Sequence, residues 1–310
     1  MNKVLMILTS HRLDCLRLAL DCHVWANSFA AFDRVVFLLN GVTPRHRAYV
    51  DRFIATHPQV AWDTVSGPRG RNERISSLEN ECVRKYPDHL YVKADEDVFV
   101  SPGWIQKMLA AYATFERDDQ LGLMAPIMPN NGSGFYFLLL QFPALHQEYA
   151  KRFAQPASRD CDGPVWKYPQ IAEWITRNFI DLRAANARIE AIRDLTPVKF
   201  TYRFSVCCVL FDYRHWQQMG GIPKEDEPTW TQWVKDHDKF NVLVTNTLVN
   251  HYSFFVQQDW LDRGSLLEDL RRINLPDTLP HKSIAGYHLP RWRRTAMQIP
   301  AYIKRRLQAG

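Results

Sequence analysis

The chain has 310 residues, of which 46% are hydrophobic, 13% aromatic and 23% charged; this mix excludes a disordered, low-hydrophobicity chain and leaves length for one large domain or two modest ones. A net charge of +6, from 39 Lys and Arg against 33 Asp and Glu, suits an anionic partner such as a phosphate ligand or lipid headgroup and does not require nucleic acid. No apolar stretch approaches the ~20 residues that a membrane-spanning helix needs.

In chain order, Val4–Leu8 (VLMIL) and Val35–Leu39 (VVFLL) are short continuous apolar runs, the pattern of strands buried on both faces of a parallel sheet. Between them Leu13, Leu16, Leu20 and Val24 recur at helical spacing. Thr43-Pro44 supplies a cap and a first-position proline for a helix to about Thr56, and a strand follows near Val60–Val65. The polar segment Ser66–Asn72 leads into a helix carrying Ile75, Leu78 and Cys82. His89–Lys93 is the next strand, running straight into Ala94-Asp95-Glu96-Asp97. Ser101-Pro102 predicts the start of a helix through about Phe115, and Leu121–Pro126 a further strand.

Asn130–Gly134 reads as a flexible loop and Pro169–Asp194 as mostly helical. Phe204–Phe211 reads as a buried strand and Tyr213–Met219 as a short helix ended by Gly220-Gly221. Val242–Val249 is a strand before His251, and the chain from about Asp259 is helical and basic. Cys15, Cys22, Cys82, Cys161, Cys207 and Cys208 form no C-x-x-C pair and read as reduced thiols. The N-terminal apolar run is too short for a signal peptide and lacks a cleavage site, so a cytoplasmic location is expected.

Chemistry is densest at Asp95-Glu96-Asp97. Ligands of open α/β sheets bind beyond the carboxyl ends of the strands. Asp95 and Asp97, at i and i+2 of an extended segment, would share one face and repel unless a cation sits between them. A hard divalent ion that keeps phosphate oxygens and water in its remaining positions is the natural occupant.

Taken together, Thr9-Ser10-His11-Arg12 after the first strand, Leu38-Leu39-Asn40-Gly41 after the second, Gly70-Arg71-Asn72, Asp95-Glu96-Asp97 and Gly220-Gly221 follow the order seen in family-2-like glycosyltransferases of GT-A fold, which the chain resembles over about residues 1–255. The resemblance implies a GT-A-type, Rossmann-like α/β fold, with a mostly parallel central sheet flanked by helices. It implies a catalytic domain over 1–255, divided into a nucleotide-sugar-binding half (1–126) and an acceptor half (127–255), followed by a helical basic extension over 256–310. Thr9, His11 and Asn40 would surround the nucleotide base, and Asn72 and Arg74 would lie near the ribose or diphosphate. Asp95 would face the ribose or the metal, Asp97 would bind Mn²⁺ or Mg²⁺ directly, and His251 would complete the metal site.

The implied reaction moves a sugar from a nucleotide-sugar donor, with UDP favoured, to a hydroxyl of a glycan or lipid-linked acceptor, as in polysaccharide biosynthesis. Inversion at the sugar carbon needs a carboxylate base opposite the leaving group. Glu225, Asp226 and Glu227 are the candidates after Gly220-Gly221, with Asp226 first and Glu225 in reserve. Trp230 and Trp233, close by in sequence, are expected on the acceptor side. Trp292, Ala296, Ile299, Ile303 and Leu307 form a stripe flanked by basic residues, the pattern of a helix lying on an anionic membrane surface. The rival readings are a sugar-phosphate nucleotidyltransferase, which would hold a triphosphate on a Gly-rich loop after the first strand where Thr9–Asp14 has no glycine, and a non-catalytic glycan- or membrane-binding module.

Overall fold

The computed structural model describes residues 1–225 and 227–276. Asp226 and the basic stripe at 291–310 lie outside the described residues.

The alternation read from the apolar runs is present from the first residues: β1 (Lys3–Thr9), α1 (Leu13–Trp25), β2 (Arg34–Asn40), α2 (Pro44–Thr56), β3 (Trp62–Gly67), α3 (Asn72–Lys85) and β4 (Leu90–Asp95). Then come β5 (Val98–Phe99), α4 (Trp104–Phe115) and β6 (Leu121–Ile127). Five helices follow: α5 (Gly132–Gln141), α6 (Pro143–Phe153), α7 (Pro164–Lys167), α8 (Pro169–Asn178) and α9 (Leu182–Glu190). Next are β7 (Val198–Phe200), β8 (Cys208–Asp212), α10 (Tyr213–Met219), α11 (Glu227–Asp236) and β9 (Phe240–Leu248). β10 (Asn250–His251), α12 (Gln258–Leu261) and α13 (Leu266–Asn274) complete the order among the described residues.

Eight strands form one sheet in the order β3-β2-β1-β4-β8-β6-β9-β7, and β5 pairs with β10 in a separate ladder. The β3-β2-β1-β4 half is parallel, as is β6-β9, while β8 and β7 run antiparallel to their neighbours. Val4, Leu5 and Met6 of β1 and Val35, Val36 and Phe37 of β2 are wholly buried, as strands covered on both faces must be. Each such side chain contributes roughly 1.5–3 kcal/mol by leaving water. Thr43 caps α2 by accepting from His46 N at 3.2 Å, with Pro44 opening the helix.

Three expectations are corrected. Ser101-Pro102 does not start α4, which begins at Trp104 after Gly103, whose φ of 84° is the left-handed conformation that glycine favours. Asn130–Gly134 is not a loose loop: Asn131 accepts from Ser133 N at 3.1 Å to cap α5, and the segment is buried. A Cβ at Gly132 would collide with Asp160 O, and one at Gly134 with Met128 O, so the glycines serve close packing. The strand expected from Phe204 starts only at Cys208. The compact unit runs from Met1 to Leu275; within it α13 buries Leu266 and Leu270, and its Asn274 Oδ1 accepts from Leu182 N at 2.8 Å. Among the described residues no helix is long and apolar enough to cross a membrane.

Candidate metal centre

Strand β4 delivers Lys93 and Asp95 to one face, two residues apart, and ends at Asp95. A turn at Glu96-Asp97 then passes the chain to β5, which pairs with β10 so that Val98 lies opposite His251. The two aspartates therefore do not share one face of a continuous strand, as the i, i+2 reading expects; the turn and the short ladder place them around His251. Nε2 of His251 lies 3.4 Å from Asp97 Oδ1. Tyr252 N donates to Asp97 O at 2.9 Å and Ser253 N to Asp97 Oδ2 at 3.4 Å, fixing the carboxylate from the β10 side.

On the other side, Asp95 N donates to Cys207 O at 2.9 Å, which ties the start of β8 to the end of β4. Donor atoms of Asp95, Cys207 and His251 all lie within 4.8 Å of one another. Lys93, buried in the sheet, donates to Val206 O at 2.8 Å and pairs with Asp95 Oδ1 at 2.7 Å.

Burial dominates the electrostatics. It pushes the Asp97 carboxyl up to about 7, against the pull of the Arg12 guanidinium, and it raises Asp95 against the pull of Lys93. Burial likewise pushes His251 down to about 4, so at neutral pH the ring is neutral and keeps a nitrogen lone pair. Asn130 Nδ2 lies 3.3 Å from His251 Nδ1, while Asn130 Oδ1 and Ser253 Oγ are buried with no partner. A half-turn of the Asn130 amide would let its oxygen accept Nδ1–H and leave Nε2 bare. Two desolvated carboxylates, a neutral imidazole and orphaned oxygens beside them suit a divalent cation, so the residues fit the ion that the sequence calls for.

Glu96, between the two aspartates, has a different task that the sequence reading missed. Its carboxylate accepts from Thr9 Oγ1 at 2.6 Å and from the backbone N–H groups of Ser10, His11 and Arg12 at 3.1 Å each. The free N–H groups leading into α1 are thus capped from another element, since Arg12 offers no cap. Thr9 is fully buried and also meets His46 Nε2 at 2.8 Å, so its hydroxyl is used inside the protein. Asn40 exchanges two hydrogen bonds of 2.9 Å with the backbone of Gly70, locking the segment before α3 to the end of β2. His11 is half-exposed beside Glu96, and Asn72 and Arg74 stand exposed on the first turn of α3.

Of the acidic segment, Glu225 is exposed and accepts from Thr229 Oγ1 at 3.2 Å. Glu227 opens α11 and accepts from Val206 N and Arg203 Nη2, both at 3.2 Å, so this segment is pinned beside Cys207. Trp230 is core: it is 3% exposed and donates to His215 Nε2 at 2.9 Å. Trp233 stacks on His237. Among the described residues the exposed aromatics are instead Tyr168, Phe255 and Trp260, two of which follow His251 closely in the chain. Lys93 could have been found as the one charge inside an apolar strand; Cys207, Asn130 and Glu96 carry no pattern that sets them apart.

No protein-family model matches the sequence, and no curated protein matches it. Among solved structures, a mannosyltransferase, PcManGT from Pyrobaculum calidifontis in complex with GDP-Man and Mn²⁺, is similar with a TM-score of 0.50 and 12% identity, over 84% of this chain and 59% of its own. GalNAc-T7 with UDP, GalNAc and Mn²⁺ is similar with a TM-score of 0.52 and 10% identity, over 82% of this chain and 44% of its own. The chain spans less than two thirds of the length of either. The fold is the GT-A fold of glycosyltransferases.

Proposed function

We propose that the chain is a divalent-metal-dependent glycosyltransferase that takes a nucleotide-sugar donor, a UDP-sugar first, and transfers a hexosyl group with inversion to a hydroxyl of a glycan or lipid-linked acceptor. The observation that carries this is the convergence of Asp95, Asp97 and His251 at the carboxyl end of β4, where this fold is open to a ligand. Asp95, Asp97 and His251 would hold the ion, with Asn130 orienting the imidazole. When bound there, Mn²⁺ or Mg²⁺ supplies Lewis-acid stabilisation of the charge left on a departing diphosphate.

The chain's own groups supply the rest. Glu96 holds the loop after β1 in place, which sets His11 at its exposed edge for the base, and Asn40 holds Gly70 so that Asn72 and Arg74 face the ribose and diphosphate from the positive end of α3. Asp226, with Glu225 in reserve, takes the proton of the acceptor hydroxyl, and Glu227 anchors that segment to the wall of the site. Tyr168, Phe255 and Trp260 offer exposed rings for an acceptor saccharide in place of Trp230 and Trp233. We place the enzyme in the cytoplasm, with residues 291–310 on an anionic membrane face.

The nucleotidyltransferase reading is disfavoured by Glu96: a carboxylate occupies the N–H groups of the β1–α1 loop that a triphosphate would need. The test is turnover of UDP-, GDP- and dTDP-sugars with Mn²⁺, with product anomers read by NMR. Release of nucleoside diphosphate with an inverted product supports the reading, and metal-dependent nucleotide binding without release or transfer favours a binding module.

A further inference from the structure

We propose that Cys207 is a ligand of this centre, and that its thiolate makes the centre prefer a thiophilic divalent ion such as Zn²⁺ or Co²⁺ over Mg²⁺ and Mn²⁺. The proposal rests on the metal-binding reading above and changes which ion that reading takes.

Position comes first. Cys15, Cys22, Cys82 and Cys208 are wholly buried. Cys207 alone among the described cysteines has its Sγ within 4.8 Å of a carboxylate oxygen and an imidazole nitrogen in one cluster. Its place is fixed by the backbone, because its carbonyl accepts from Asp95 N at 2.9 Å. Ser205 Oγ stands 3.0 Å from the sulfur and can donate to a thiolate there, the supporting contact that metal-bound sulfur needs. Lys93 engages Asp95 Oδ1, which leaves the second oxygen of that carboxylate for a cation.

Chemistry then decides the ion. Thiolate, imidazole and carboxylate form a mixed donor set that zinc binds readily, at bonds of about 2.0–2.3 Å, whereas magnesium and manganese favour oxygen. Donors around a tetrahedral zinc stand roughly 3.3–3.8 Å apart on those bond lengths, so a separation of up to 4.8 Å calls for shifts of less than about 1 Å per side chain.

Cobalt reads the proposal directly, because a sulfur ligand adds a near-ultraviolet charge-transfer band to its visible spectrum. Titration of the metal-free full chain with Co²⁺ should raise that band in the wild type and in Cys208→Ser but not in Cys207→Ser. The last variant should bind Co²⁺ roughly 10–100-fold more weakly. Zn²⁺ should displace the cobalt at concentrations where Mn²⁺ does not. A second measurement needs no variant: the charge-transfer band of the wild type should disappear as Zn²⁺ is added and return when the zinc is removed and Co²⁺ restored. Visible cobalt bands without the charge-transfer band, or a band that survives in Cys207→Ser, would each overturn thiolate ligation while leaving a metal centre standing. No cobalt binding at all would remove both the thiolate and the metal-binding reading.

Discussion

Three consecutive acidic residues take three different places, and only local geometry separates them. Asp95 stays on β4 beside Lys93, Asp97 turns under His251, and Glu96 faces the other way to close the loop into α1. A carboxylate that accepts four hydrogen bonds in a buried position is expensive to weaken, since each charge-assisted bond contributes about 1.5–3 kcal/mol. Glu96→Gln should therefore cost about 2–4 kcal/mol in urea unfolding, whereas a loss below 0.5 kcal/mol would show that the loop holds itself. His23 is a second buried group with a measurable signature. It is 1% exposed against Phe29 and Trp104, and burial pushes it down to about 3. Its folded value lies below its unfolded one, so the unfolded chain binds the proton first and stability is lost as pH falls from about 6.5 toward 3. His23→Leu should flatten the fall of unfolding free energy between pH 6 and 4 by about 1.4 kcal/mol per pH unit; parallel curves for variant and wild type would contradict this.

The elements that could be read in advance were those whose side chains repeat. Val4–Leu8 and Val35–Leu39 are buried on both faces, so an unbroken apolar run was enough to place β1 and β2, and Thr43-Pro44 marked α2 because capping chemistry is local. The same logic fails where an element is made by distant partners. β5 and β10 are two residues each and exist only because they pair, and α5 is a glycine-containing segment that forms against Asp160 and Met128. The candidate site was legible in part for the same reason: Asp95, Asp97 and His251 follow directly on predicted strands, while Cys207 and Asn130 reach it from elements that sequence spacing does not join. Asn40 illustrates the limit. Its position after β2 was legible, but its side chain spans to Gly70 and so fixes the backbone before α3, the segment proposed to meet the donor. Asn40→Ala should lower affinity for a nucleoside diphosphate about tenfold, at a stability cost of about 1–2 kcal/mol, in calorimetric and denaturation titrations. Unchanged affinity would detach that segment from donor binding.

For the molecule as a whole, the described residues join a parallel half that carries the loops proposed for the donor to a second half in which antiparallel β8 brings Cys207 beside β4. The helices after His251 belong to the same unit: Arg12 pairs with Asp262 at 3.0 Å and Arg177 with Asp269 at 3.1 Å. This sets Trp260, its indole N–H held by Glu173 at 2.9 Å and its side chain 42% exposed, within the same body as the candidate metal centre. Trp260→Ala should raise the KM for a glycan acceptor about tenfold with little change in donor KM, which initial-rate kinetics would separate; equal effects on both would argue against an acceptor role.

Nucleoside diphosphate binding through a cation held by Asp97 and His251 is the claim on which the functional account turns. Isothermal titration of UDP and GDP into the full chain, with and without Mn²⁺, Co²⁺ or Zn²⁺, measures it most directly. Binding of at least one diphosphate that requires the ion and disappears in Asp97→Ala, with the variant still folded, is the result expected. Equal binding without any ion, or undiminished binding in Asp97→Ala, would contradict it.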